Sequence, residues 1–250
     1  MQGRSALDTL YQAGASRILL PRMTGQSLTA VTLNTAGGIT GGDSFQLTAR
    51  AGRDSHLTLT TQAAERLYRS QPGEVAAVSN TVEVGHGARL NWLPQETILF
   101  DGCALRRSLT ADLAADTRLL LVEPVIFGRT AMGETVHRGL FLDRIHVRRA
   151  GKLIFADAVR LEGRIARHLD QPAIAPGARA MATLLYVGED AERFLAPLRQ
   201  AMPGIGGASL IREDVLFARL LTPDSYLLRR SLMPVLETLL QSDLPRTWTL

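Results

Sequence analysis

Apolar and polar positions alternate in His56-Leu57-Thr58-Leu59-Thr60-Thr61 and in Thr81-Val82-Glu83-Val84. A period of two puts every second side chain on one face, so both segments are predicted as half-buried strands. Further runs predict strands at Ala30–Leu33, Ser44–Ala51, Ala88–Trp92, Glu96–Phe100, Ser108–Leu113, Arg118–Phe127, Leu140–Arg149 and Lys152–Leu161. Turn residues separate them at Ala51-Gly52-Arg53-Asp54, Gly85-His86-Gly87, Asp101-Gly102 and Ala150-Gly151. The last is a two-residue link between apolar-patterned runs, which predicts a tight hairpin with Gly at a positive φ. Many short strands at a spacing of roughly 8–12 residues predict a mainly β fold, either irregular and β-helix-like or sandwich-like. No repeat of fixed period stands out.

The pattern changes towards the C-terminus. Glu189–Met202 has helical spacing, with Phe194, Leu195 and Leu198 on one face, a start at Gly188 to Asp190 and a stop at Pro203-Gly204. Gly204-Ile205-Gly206-Gly207-Ala208 reads as a glycine-rich loop. A second helix is predicted from about Pro223 to Gln241, carrying Leu227, Leu228, Leu232, Val235, Leu236 and Leu239. Thr222 is its expected N-cap and Pro223 suits its first turn. Pro234 lies inside and is expected to kink or split it. No linker separates the β part from the helices. The expected organisation is a single domain over residues 1–250, mostly β to residue 187 and α-containing from residue 188.

Composition narrows the class. Hydrophobic residues make up 46% and charged residues 21%, as in a soluble globular chain. No apolar run approaches the roughly 18–20 residues of a membrane span. Met1-Gln2-Gly3-Arg4-Ser5 leads into no apolar secretory segment. Cys103 is the only cysteine, so neither an internal disulfide nor a paired-cysteine metal site can form. Together these features point to the cytoplasm. The net charge is +4, and of 28 basic residues only Lys152 is a lysine. The arginines are scattered and aromatic residues reach only 5%, which argues against a nucleic-acid stripe. Arg148-Arg149 and Arg229-Arg230 read as solvated faces or as contacts for an acidic protein.

The densest motif is Gly37-Gly38-Ile39-Thr40-Gly41-Gly42-Asp43. It lacks the lysine of a phosphate-binding loop and precedes a strand, not a helix, so it offers no helix N-terminus to a phosphate. Tight turns at positive φ, with Asp43 capping backbone N–H groups, account for its composition.

Asn34-Thr35-Ala36-Gly37-Gly38-Ile39-Thr40-Gly41-Gly42-Asp43 resembles the signature of the UreD (UreH) family of urease accessory proteins. Thr60-Thr61-Gln62-Ala63-Ala64-Glu65-Arg66-Leu67-Tyr68-Arg69-Ser70 follows at the family's distance, with Gln62, Glu65, Arg66 and Tyr68 in the motif. Two later blocks match in order, Trp92-Leu93-Pro94-Gln95-Glu96-Thr97-Ile98-Leu99-Phe100 and Phe127-Gly128-Arg129-Thr130-Ala131-Met132-Gly133-Glu134. Pro245-Arg246-Thr247-Trp248 also has the family look. The resemblance implies a mostly β fold with a small helical part and a role without catalysis. It implies a complex with UreF, bound directly, and the GTPase UreG. That complex docks on apo-urease and passes Ni²⁺ towards its active site. No cofactor is expected to be tightly bound, Ni²⁺ being in transit through a water-filled route.

A transit route needs sites weak enough to release the ion, so isolated carboxylates suit it better than a cage of histidine or cysteine. His56, His86, His137, His146 and His168 show no ligand spacing, and no tight metal site is expected. The candidate nickel-transit acids are Asp43, Glu65, Glu123 and Asp157. Glu123 interrupts the apolar run Leu119-Leu120-Leu121-Val122, where an unpaired carboxylate costs several kcal/mol. A hydrated wall, or an arginine such as Arg118 or Arg129, would resolve that cost. Two competing readings remain open at this point. One is a β-fold hydrolase using a carboxylate pair from Asp43, Asp101 and Glu123, although no catalytic motif accompanies them. The other is a β-rich binding module for carbohydrate or nucleic acid, for which Trp92 and Trp248 are the only tryptophan platforms.

Overall fold

The computed structural model describes residues 3–22, 25–129, 132–202 and 205–249. Among the described residues, fifteen strands form two sheets. They are β1 (Ser16–Leu19), β2 (Leu28–Asn34), β3 (Ser44–Ala51), β4 (His56–Thr61), β5 (Glu65–Leu67), β6 (Ala76–Val84), β7 (Arg89–Leu93) and β8 (Thr97–Leu99). They continue as β9 (Ala104–Leu113), β10 (Arg118–Phe127), β11 (Gly139–Arg149), β12 (Lys152–Gly163), β13 (Ala180–Val187), β14 (Gly206–Arg212) and β15 (Val215–Thr222). The helices are α1 (Ile165–Leu169), α2 (Leu195–Ala201) and α3 (Ser225–Leu240).

The larger sheet runs β1-β2-β4-β7-β10-β13-β15-β14, with β5 and β8 beside β10; the smaller runs β12-β11-β9-β6-β3. From β2 to β11 the chain winds between the sheets, and β2, β4, β7 and β10 pair in parallel. So do β3, β6, β9 and β11. This is a β-solenoid closed by an antiparallel end, where β12 folds back on β11 and β13, β15 and β14 extend the larger sheet. The expected mainly β class is therefore found in its β-helix-like form. Uneven segments between coils explain why no fixed period was visible.

Three predicted strands, Ser44–Ala51, His56–Thr61 and Arg118–Phe127, have the observed bounds of β3, β4 and β10. Ala150 and Gly151 both adopt positive φ in the β11–β12 hairpin. Sequence reading missed β1, β5, β13, β14 and β15, and it took the start of β14 for loop. Gly206 and Gly207 pair with Leu220 and Arg219 of β15, so strand pairing overrides their weak β propensity. The C-terminal region is thus α and β together.

The second helix starts two residues later than expected. Asp224 is its N-cap, accepting a bond from the Leu227 backbone N–H at 2.8 Å, while Thr222 is buried in β15. Pro234 does not split α3. It lies on the exposed side, where the carbonyl its ring leaves unpaired can meet water. Leu228 and Leu232 before it and Val235, Leu236 and Leu239 after it enter one core. The first predicted helix is a 3₁₀ turn at Ala191–Phe194 followed by α2, burying Phe194 and Leu198. Its predicted stop, Pro203-Gly204, lies outside the described residues, as do Met1-Gln2 and the motif residues Thr130-Ala131.

Strand β10 shows why the larger sheet is apolar on both sides. Leu120, Val122 and Ile126 face α3, while Leu119, Leu121, Val125 and Phe127 face the smaller sheet. A strand buried on both faces reads as a continuous apolar run. Glu123 is the single charge in the run over residues 119–127, and it faces between the sheets.

Candidate functional site

The space between the sheets holds two apolar clusters. One contains Leu59, Trp92, Leu109, Leu121, Ile145 and Leu185; the other contains Leu67, Leu99, Leu105, Val125, Phe141 and Met181. Between them lies a polar layer. On the smaller sheet Arg107 and Asp143 are register partners. On the larger sheet Glu123, Thr183 and Arg219 share one row. A period-2 strand puts such residues on the inner face as surely as it puts leucines there.

A cavity of ≈ 310 Å³ opens into this layer from the side of β2, β3 and β6. Gly37, Gln46, Gln62, Ala63 and Arg66 form an exposed rim, while Trp92, Thr97, Leu105, Arg107 and Glu123 are buried at the inner end. Glu65 stands between, half-buried in the wall.

The rim is built by the glycine motif. Asn34 donates from Nδ2 to the Gly38 carbonyl at 2.8 Å and to Glu65 Oε1 at 3.3 Å, and its Oδ1 accepts from the Ala36 N–H. The Tyr68 ring lies flush on Gly38, where a Cβ would come within 2.3 Å of the ring and 2.8 Å of the Arg66 carbonyl. Gly41 packs on Ser70 and Glu74 and leaves no room for a Cβ either. Gly37 and Gly42 have the expected positive φ, and Asp43 Oδ2 accepts from the Thr40 N–H at 2.8 Å as the expected turn cap. Burial pushes the Glu65 carboxyl above its ordinary pKa, against the bonds from Asn34 and the Arg66 backbone.

The inner end is an ion-paired triad. Arg107 donates from Nε to Asp143 Oδ1 at 2.9 Å and from Nη2 to Asp143 Oδ2 at 2.6 Å. Its Nη1 donates to Thr97 Oγ1 at 3.1 Å and lies 2.7 Å from Glu123 Oε2. Glu123 Oε1 accepts from Trp92 Nε1 at 2.8 Å. One guanidinium thus stands between two buried carboxylates. Burial raises the Glu123 carboxyl to about 7 against the pull of Arg107, and Asp143 adds to the rise. The two carboxylates hold the guanidinium proton more firmly than usual.

The structure separates the four proposed acids. Glu65 and Glu123 share the cavity. Asp43 sits in the rim turn, close enough to raise the pKa of Glu65, but does not line the cavity. Asp157 on β12 pairs with Arg219, which also donates to Thr183 Oγ1 at 3.2 Å and so bridges the two sheets. The partner of Glu123 is neither Arg118, which pairs with Asp190, nor Arg129, which pairs with Glu134. Arg107 and Asp143 were missed. Their signal was phase: Arg107 falls in step with Leu105 and Leu109, and Asp143 with Phe141 and Ile145.

Other expectations change as well. Arg149 pairs with Asp214, and Arg229 holds Glu96 at 3.1 Å and the Trp248 carbonyl at 2.7 Å, so neither arginine is a free solvated charge. Trp92 and Trp248 are buried and form no sugar-binding platform. Asp101, offered for a carboxylate pair, caps the Arg138 N–H and does not line the cavity with Glu123. The Gln95 side chain donates to the Gln62 carbonyl at 3.1 Å and the Thr247 carbonyl at 2.7 Å, tying the second motif segment to the chain's end. His56 bonds Asn91 and His86 pairs with Asp116. Among the described residues no three His, Cys, Asp or Glu side chains converge. No described helix is long and apolar enough to cross a membrane.

Fold and site together define a β-solenoid protein with an interior cavity that carries two carboxylates and ends at a buried arginine. The chain belongs to the UreD family of urease accessory proteins, whose model it matches over residues 1–249. A urease accessory protein UreD of Ruegeria pomeroyi is 52% identical over 98% of this chain and 96% of its own length. One of a Methylobacterium species is 45% identical over 98% of this chain and 89% of its own. Another, of Rhizobium leguminosarum, is 43% identical over 99% and 91%.

Proposed function

We propose that this chain is a urease maturation scaffold that catalyses no reaction of its own. It binds UreF directly, joins the GTPase UreG, and in that complex docks on apo-urease in the cytoplasm and passes Ni²⁺ towards the active site. Family membership supports the urease role. The single structural observation that supports handling of a metal is the cavity, which places Glu65 and Glu123 in sequence from rim to inner end. Carboxylates spaced along a route, not gathered into a cage, attract a divalent ion without the multidentate grip that would retain it. Ni²⁺ is cargo in this reading, and Asp43 and Asp157 serve as flanking acids outside the cavity.

The test is deletion of this chain from a cell that expresses urease with its other accessory proteins. Urease subunits are expected to assemble but to contain little nickel by metal analysis. Fully active urease at low nickel in the deletion strain would sink the proposal.

A further inference from the structure

We propose that Arg107 is a built-in competitor for the cation, its guanidinium holding the place at Glu123 that a divalent cation arriving through the cavity would take. The inference deepens the nickel-transfer reading and rests on it for the identity of the ion.

The two carboxylates beside Arg107 do different work. Asp143 takes two nearly parallel hydrogen bonds from Nε and Nη2, the planar fork that arginine makes best. Glu123 receives no hydrogen bond at Oε2; Nη1 lies 2.7 Å away but directs its bond to Thr97. The contact with Glu123 is therefore one of charge, without directional grip. Glu123 lines the cavity and Asp143 does not. An ion coming from the rim meets Glu65 and then the inner end, where Glu123 and the Arg107 guanidinium both line the cavity. Displacing one non-directional contact at Glu123 leaves the Arg107–Asp143 fork intact, so the site can be vacated and refilled without unpairing both acids. The guanidinium has two further constraints, the Thr97 bond and the Phe141 ring at 5.7 Å, which limit where it can go. Asp143 is the anchor that keeps the competitor in place, and Glu123 is the acceptor it guards.

A residue that only fills space in the core makes no prediction about metals, whereas a competitor does. Arg107→Ala in the full-length chain is expected to bind one more Ni²⁺ per chain than wild type by equilibrium dialysis. Arg107→Ala/Glu123→Gln is expected to lose that ion again. The surface histidines are common to all three proteins and cancel. Ni²⁺ is also expected to raise the melting temperature of Arg107→Ala more than that of the double variant. Equal nickel binding by wild type and Arg107→Ala overturns the inference. If Arg107→Ala does not fold, Arg107→Lys replaces it, because an ammonium cannot span both acids. Unchanged nickel binding in the folded lysine variant would likewise overturn it. Activation of urease by Glu123→Gln judges the transfer reading separately. Undiminished activation alongside a gained site in Arg107→Ala rejects that route and retains the competitor.

Discussion

The two faces of the larger sheet are built on opposite principles. Towards α3 the sheet presents Leu120, Val122, Leu184 and Leu220, and it meets Leu228, Leu232 and Trp248 in an apolar layer. Towards the smaller sheet the same strands carry a polar row of Glu123, Thr183 and Arg219 between two apolar clusters. The first face can be held by area alone, each fully buried leucine contributing about 1.5–3 kcal/mol. The second gives up apolar contact for charges that stay buried only while mutually paired.

The comparison can be broken most severely at Arg107. Arg107→Ala leaves Glu123 and Asp143 without their cation and is expected to cost about 3–5 kcal/mol in urea denaturation. Converting all three to neutral residues of similar size, as in Arg107→Met/Glu123→Gln/Asp143→Asn, is expected to recover most of that loss. A triple variant as unstable as the single one would show that shape, not charge balance, governs the inner layer. On the outer face Leu232→Ala is expected to cost about 3 kcal/mol, the range for a buried leucine replaced by alanine. That loss should not change with pH.

The inner layer, in contrast, should respond to pH. The Glu123 carboxyl rises from the ordinary 4.5 to about 7 in the folded chain. The folded state therefore holds a proton that the unfolded state releases in that window. Stability from this group is greatest below the unfolded value and falls as pH rises towards 7. Denaturation of wild type and Glu123→Gln across this range checks the sign, the wild type losing stability relative to the variant as pH rises. The opposite slope would mean that Arg107 outweighs desolvation and keeps the carboxylate ionised throughout.

Much of the fold was legible because period two is a local property. Strands β3, β4 and β10 could be bounded from alternation or apolar runs alone, and the glycine motif announced its turns. What stayed hidden depends on remote partners. The weak β formers Gly206 and Gly207 are strand because β15 pairs with them. Residues such as Leu184 and Leu185 lie in an apolar run that fits strand or helix equally well until β10 is placed beside it. In the site, Glu123 was visible as a charge in an apolar run. Arg107 was hidden because the predicted strand began at Ser108, one residue too late to show that the arginine keeps step with Leu105 and Leu109.

By itself the sequence determined the β class, the rim turn of Gly37 to Asp43 and the family, because each rests on local pattern or on motifs in order. Only the tertiary structure decided which acids meet. Asp43 and Glu65 come together at the rim, Glu123 and Asp143 come to one arginine, and Asp157 goes to another. A strand's phase sets which face a side chain occupies, but only the winding of the coils and their register set what it finds there.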